Sequence, residues 1–240
     1  MISVYWILAV FLVFFLGASI GSFSLVTVMR GHRKEDWVKG HSVCESCGKE
    51  LHWWELIPTI SFLILRGRCS KCKAKIEPTH FVSETGLGII FTAIFGAYML
   101  ESITTLQALS YIVSFTVLWK NVMSDLLYFE VTSIDVLIAA IITSILNECW
   151  LPVLVMIVLD LIFCSKEAFK MLGTGDIDIF ILIYATLGKW VPMVNVMFFA
   201  SLLALVSYYL VIRKSEDKKI PFVPFLFAGL ALTICGVTVV

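Results

Sequence analysis

Eight apolar runs divide this chain almost from end to end, at residues 4–29, 81–100, 106–123, 131–146, 151–163, 177–187, 191–212 and 221–240. A helix needs about 20 apolar residues to cross the hydrocarbon of a bilayer, and most of the runs approach that length. Those beginning at Leu151 and Ile177 are short, so they must borrow flanking residues or sit in a thinned, closely packed site. With 60% hydrophobic residues, 15% charged residues and a mean hydropathy of +0.96, the chain cannot stay dissolved as a water-exposed domain. The expected fold class is an all-α polytopic membrane protein with about eight transmembrane helices. Zero formal net charge removes any bulk electrostatic argument for nucleic acid as a partner, and leaves membrane lipid as the expected surroundings.

Lys and Arg bias loops to the cytoplasmic side of a membrane, so their placement predicts the topology. Arg30, Arg33, Lys34, Lys39, Lys49, Arg66, Arg68, Lys71, Lys73 and Lys75 follow the first run, and Lys120 ends the third. Lys166 and Lys170 follow the fifth, Arg213, Lys214, Lys218 and Lys219 follow the seventh, and Lys189 alone falls outside this pattern. The first helix therefore exits into the cytosol, and both termini are expected outside it. Because basic residues follow the first run and none precedes it, that run is read as a retained helix and not as a cleaved signal. The expected organisation is a first transmembrane helix (1–29), a cytosolic loop (30–80) and a seven-helix membrane core (81–240).

The loop contains Cys44-Glu45-Ser46-Cys47 and Cys69-Ser70-Lys71-Cys72. Two residues between paired thiolates let each pair grip one side of a tetrahedral ion, which predicts a zinc-ribbon-like centre with Cys44, Cys47, Cys69 and Cys72 as ligands. Two disulfides are the alternative, but the charge pattern puts the loop in a reducing compartment. His32, His41, His52 and His80 lie nearby; four cysteines already fill a tetrahedral site without them. Residues 53–65 are apolar but short for a span and interrupted by Pro58, so they either lie on the membrane surface or pack on the ribbon.

Gly173-Thr174-Gly175-Asp176 places a carboxylate beside two glycines at the mouth of an apolar segment. Ionisable groups at the edge of hydrocarbon mark proton, ion or catalytic sites, and glycines admit close approach of backbone or substrate. The bland alternative is a glycine loop with Asp176 as a helix N-cap. Asp125, after the third run, falls on the same membrane face. Two close carboxyl groups cannot both ionise cheaply, so one keeps a proton while the other activates water, the chemistry of an aspartic protease. Against this, Asp125 taken alone reads as a solvated loop charge between Lys120 and Glu130. Asp160 is the acid set deepest in a run and is expected to be hydrogen-bonded to a neighbouring helix. Asp178 points to another helical face from Asp176.

Taken together these residues resemble the type IV prepilin peptidase family. Gly17-Ala18-Ser19-Ile20-Gly21-Ser22-Phe23 with Arg30 resembles its first span. The paired cysteines with Leu56-Ile57-Pro58 and Arg66-Gly67-Arg68 resemble its cytosolic domain, and Glu84 the glutamate opening its second span. Gly173-Thr174-Gly175-Asp176 matches its GxGD motif, and Ile220-Pro221-Phe222-Val223-Pro224-Phe225-Leu226 resembles the start of its last helix. Thr132 stands where the family has proline, Asp178 where it has lysine and Val223 where it has glycine.

The resemblance implies a bacterial inner-membrane aspartic endopeptidase with Asp125 and Asp176 as its catalytic pair, supported by Gly173 and Gly175. Its substrates would be prepilins, pseudopilins or competence pilins with short basic leaders, cut at the cytosolic face. It also implies structural zinc and, in many members, N-methylation from S-adenosylmethionine, with Glu84 serving substrate handling or methyl transfer. The rival from another class is a non-enzymatic membrane scaffold that uses the zinc loop for docking.

Overall fold

The computed structural model describes residues 2–36, 40–163, 174–210 and 220–236. It divides the chain into two compact units, Met1–Ser102 and Ile103–Val240.

In the first unit, α1 (Ile2–His32) is a 31-residue helix without an amphipathic stripe, as a segment surrounded by lipid should be. It packs along α3 (Pro78–Met99). Small residues let the two backbones touch: a Cβ at Gly21 would collide with the Ser83 carbonyl, and one at Gly17 would lie 2.7 Å from the Leu87 carbonyl. The Ser83 hydroxyl donates to the Gly21 carbonyl at 2.8 Å and is itself fully buried. Between these helices the chain forms two cysteine-bearing turns, a short 3-10 helix (Trp53–Leu56) and α2 (Ile60–Ile64).

The second unit contains α4 (Thr105–Tyr128), α5 (Ser133–Leu146), α6 (Trp150–Phe163), α7 (Thr174–Leu187), α8 (Trp190–Leu210) and α9 (Val223–Ile234). Helix α4 starts from a capping box in which the Thr104 hydroxyl accepts from the Gln107 N–H while Gln107 accepts from the Thr104 N–H. Helix α7 is the core: it contacts α4, α5, α6, α8 and α9, and Ile179, Ile181, Leu182, Ile183 and Ala185 are buried around its whole circumference. A span hemmed in by protein need not match the bilayer thickness, which explains how this short run is accommodated. Polar stitches fix its far end: Asn147 donates to the Ala185 and Thr186 carbonyls at 2.9 and 3.1 Å, and Ser114 bonds Thr186 at 2.6 Å.

The eight long helices coincide with the eight apolar runs, and the described residues form no ladder beyond isolated bridges, so the all-α membrane class holds. Three described helices, Val4–His32, Pro78–Met99 and Trp190–Leu210, are individually long and apolar enough to cross a bilayer. One boundary differs from expectation. Asp125 does not follow the third span; it lies inside α4, which continues to Tyr128 and stops where Phe129 adopts a left-handed φ of 55°. The Phe129 N–H then closes the helix on the Asp125 carbonyl at 3.1 Å.

Candidate active site and cysteine centre

The last turns of α4 carry a sequence of polar side chains that apolar surroundings would reject unless each were engaged. Asn121, fully buried, donates to the Val117 carbonyl at 3.0 Å and accepts from the Thr132 N–H at 2.9 Å and the Thr132 hydroxyl at 3.1 Å. It thus ties the α4–α5 connection back onto α4. One turn later Asp125 is 7% exposed, so it is no solvated loop charge; Lys120 pairs instead with Asp135 at 2.7 Å. One oxygen of Asp125, Oδ2, accepts from the Val223 N–H at the start of α9 at 2.9 Å. That donor belongs to the backbone, so the valine in place of glycine leaves the contact intact. Helix α9 also aims its positive N-terminal end at this carboxylate.

Asp176 lies in the first turn of α7, half-buried, and is close enough for its charge to act on Asp125. Gly175 makes this approach possible. A Cβ there would fall 2.6 Å from the Cβ and 2.9 Å from the Cγ1 of Val131, in the connection that Asn121 holds. Gly173 lies outside the described residues. Asp178 faces Ser133 of α5 and Asp160 of α6, and is buried at 3% exposure. The structure therefore brings Asp125, Gly175 and Asp176 together and turns Asp178 to different neighbours. Asn121 and the Val223 N–H were not singled out from sequence. An amide one turn before an acid in an apolar helix was the available signal for the first; a backbone donor leaves none.

In the first unit the four sulfurs of Cys44, Cys47, Cys69 and Cys72 all lie within 4.8 Å of one another, and Cys44 and Cys72 are 3.9 Å apart. A tetrahedron with metal–sulfur bonds of about 2.3 Å has edges of about 3.8 Å, so the donor set fits zinc. The two turns repeat one design. The Cys44 N–H donates to Lys49 and the Cys69 N–H to Ala74, while isolated bridges join Val43 to Glu50 and Arg68 to Lys75. After each pair the chain adopts a left-handed φ, 66° at Gly48 and 61° at Lys73. The N–H groups of Cys72 and Lys71 hold the Cys69 thiol down to about 6. The Ala74 N–H lowers Cys72, but burial and the sulfurs of Cys47, Cys69 and Cys44 push it up to about 11. Four thiolates cannot coexist without a cation, and a bound divalent ion would release the remaining protons.

A second polar knot, also not anticipated, fixes the two turns to each other. Lys49 Nζ lies 3.0 and 2.9 Å from the two carboxylate oxygens of buried Glu55 and donates to the Ser70 hydroxyl at 2.7 Å. Ser70 donates in turn to Glu55 Oε1, and the His52 N–H donates to Oε2 at 2.8 Å. Burial raises the Glu55 carboxyl, but Lys49, Ser70 and the His52 N–H outweigh it and hold the group at about 2.

Glu84, one and a half turns into α3, accepts from the Ser22 hydroxyl of α1 at 2.9 Å and from the Thr59 N–H. Thr59 is held at a φ of 65°, an unusual conformation for a β-branched residue. Glu84 and Ser22 line a cavity of about 1070 Å³ within this unit, together with Arg30, His41, Phe62 and His80.

The described residues thus carry two acids near the ends of α4 and α7 and a four-cysteine cluster between two apolar helices. Residues 15–98 match the family described as the bacterial peptidase A24 N-terminal domain. A prepilin leader peptidase/N-methyltransferase of Myxococcus xanthus is 40% identical over 85 residues, which is 35% of this chain and 25% of that protein. One of Vibrio cholerae is 34% identical over 79 residues, 30% of this chain and 31% of that protein. These two matches span about a quarter and a third of the relatives' own lengths. A third, of Pseudomonas putida, is 28% identical over 229 residues, 85% of this chain and 75% of its own. The chain is thus similar to prepilin leader peptidase/N-methyltransferases, through the family match over residues 15–98 and through the Pseudomonas putida relative over most of its length. No solved structure matches it.

Proposed function

We propose that this chain is a multi-pass aspartic endopeptidase of a bacterial inner membrane, removing short basic leaders from prepilins, pseudopilins or competence pilins. The observation that carries this reading is the pairing of two carboxyl groups, Asp125 fixed through Oδ2 by the Val223 N–H and Asp176 near enough for their charges to interact. One carboxylate accepts a proton as water attacks the peptide carbonyl, while the other carboxyl donates its proton to the carbonyl oxygen. The tetrahedral diol collapses, the C–N bond breaks, and the amine leaves with a proton from the pair. No acyl-enzyme forms. The distribution of Lys and Arg supports placing this chemistry at the cytosolic face, where a basic leader stays while the pilin helix sits in the bilayer.

A second activity in the first unit, methylation of the new amino terminus, is favoured by the 1070 Å³ cavity. Its mixed lining of carboxylate, guanidinium and imidazole groups fits the zwitterionic and purine parts of S-adenosylmethionine, which would supply the methyl group. Glu84, oriented by Ser22 and Thr59, would accept a proton from the amino terminus. Cys44, Cys47, Cys69 and Cys72 would hold structural zinc.

The test is coexpression with a pilin precursor from the same genome, following the precursor by mass. Asp125→Asn and Asp176→Asn are expected to abolish leader loss while accumulating normally in the membrane, and Glu84→Gln to remove the added methyl mass but not cleavage. Normal processing by either aspartate variant would refute the catalytic assignment, and a precursor left uncleaved by the unaltered chain, with both proteins in the membrane, would favour the scaffold.

A further inference from the structure

We infer that the segment from Trp53 to Ile64 is an interfacial anchor that lays the cysteine loop onto a bilayer surface rich in anionic lipid. Helix α2 is too short to have an independent existence, yet it is apolar on both sides. Its inner side is occupied: the Phe62 ring stacks on Phe81 of α3 with centroids 4.9 Å apart. Its outer side is not. Ile60, Leu63 and Ile64 share one face by their i, i+3, i+4 spacing and are 39%, 61% and 70% exposed. Trp53, Trp54 and Leu56 extend this apolar surface from the preceding turn, with Trp53 77% exposed.

The height of the segment is set by what it touches. Phe81 and Glu84, which bind Phe62 and the Thr59 N–H, lie in the first two turns of α3, a helix long and apolar enough to span the bilayer. A side chain facing outward at that level meets the headgroup region, where tryptophans with one apolar and one polar edge are favoured. Charge identifies the lipid. From Ile57 to Ile76 the chain carries Arg66, Arg68, Lys71, Lys73 and Lys75, all exposed, and no acid. Basic side chains this close to an anionic leaflet are attracted to it; of the two acids that flank this run in sequence, Glu55 is buried and paired with Lys49, and Glu77 is a single exposed charge against five.

The experiment uses the full chain in nanodiscs of equal phosphatidylcholine and phosphatidylglycerol, with the photoreactive residue p-benzoylphenylalanine introduced singly at Leu63, Phe62 or Leu12. Leu12, 64% exposed in the middle of α1, reports correct insertion. After irradiation and mass analysis, positions 63 and 12 are expected to carry phospholipid, and position 62 to crosslink within the chain. At position 63, phosphatidylglycerol should exceed phosphatidylcholine by about fivefold, the attraction of about one basic residue near the surface. Arg66→Gln, Lys71→Gln and Lys73→Gln together should remove that excess at 63 and leave the lipid ratio at 12 unchanged. Lipid at position 12 with none at 63, adducts joining 63 to a second copy of the chain, or an excess unaffected by neutralisation would each overturn the inference.

Discussion

Gly175→Ala tests whether the glycine beside Asp176 is a steric requirement. The added Cβ would sit 2.6 Å from the Val131 Cβ. Carbon atoms prefer about 3.5–4.0 Å, so roughly 1 Å must be recovered by moving α7 or the 129–132 connection. Overpacking of this kind costs about 1–3 kcal/mol. The connection is held by Asn121 and closes α4 at Asp125, so the displacement falls on the separation of the two carboxyl groups. A misplacement near 1 Å costs about 100-fold in rate. The decisive comparison lies at Val131. Val131→Ala keeps the Cβ that makes the closest contact and should leave Gly175→Ala defective. Val131→Gly removes the three atoms nearest the new methyl and should restore most of the rate and the thermal midpoint. Leader cleavage and thermal unfolding in detergent provide the two readouts. Full activity of Gly175→Ala alone, or equal rescue by Val131→Ala and Val131→Gly, would refute the steric reasoning.

Lys73→Gly should stabilise the loop by about 1 kcal/mol by relieving a left-handed φ, and Gly48→Ala should destabilise it similarly, both read by thermal unfolding. Glu55 is held at about 2 when folded against a reference of 4.5, so its contribution is present above about 4.5 and is lost as pH falls towards 2. The stability gap between wild type and Glu55→Gln should therefore be widest above pH 4.5 and narrow below it; a constant gap would contradict the assignment. Purified, reduced protein should contain about one zinc per chain, lost in Cys44→Ser/Cys69→Ser, with elemental analysis as the measurement.

The helices were legible in the sequence because membrane insertion depends on local composition: an apolar run long enough to span forms a helix wherever it goes. The four cysteines were legible for a related reason, since a two-residue spacing itself fixes each half of a tetrahedral site. Helix ends were less so. The chain reads as leaving the third span before Asp125, whereas burial of Asn121, Ser124 and Asp125 carries α4 on to Tyr128. The knot of Lys49, Glu55 and Ser70, the support of Glu84 by Thr59, and the bond from Val223 to Asp125 required the tertiary structure. Each joins segments through side chains or backbone groups that carry no pattern along the chain. Residue type and spacing decided which segments cross the membrane and which sulfurs form a centre; the contacts of packed helices decided which acids face one another, because proximity across helices is set by packing and has no periodicity to read.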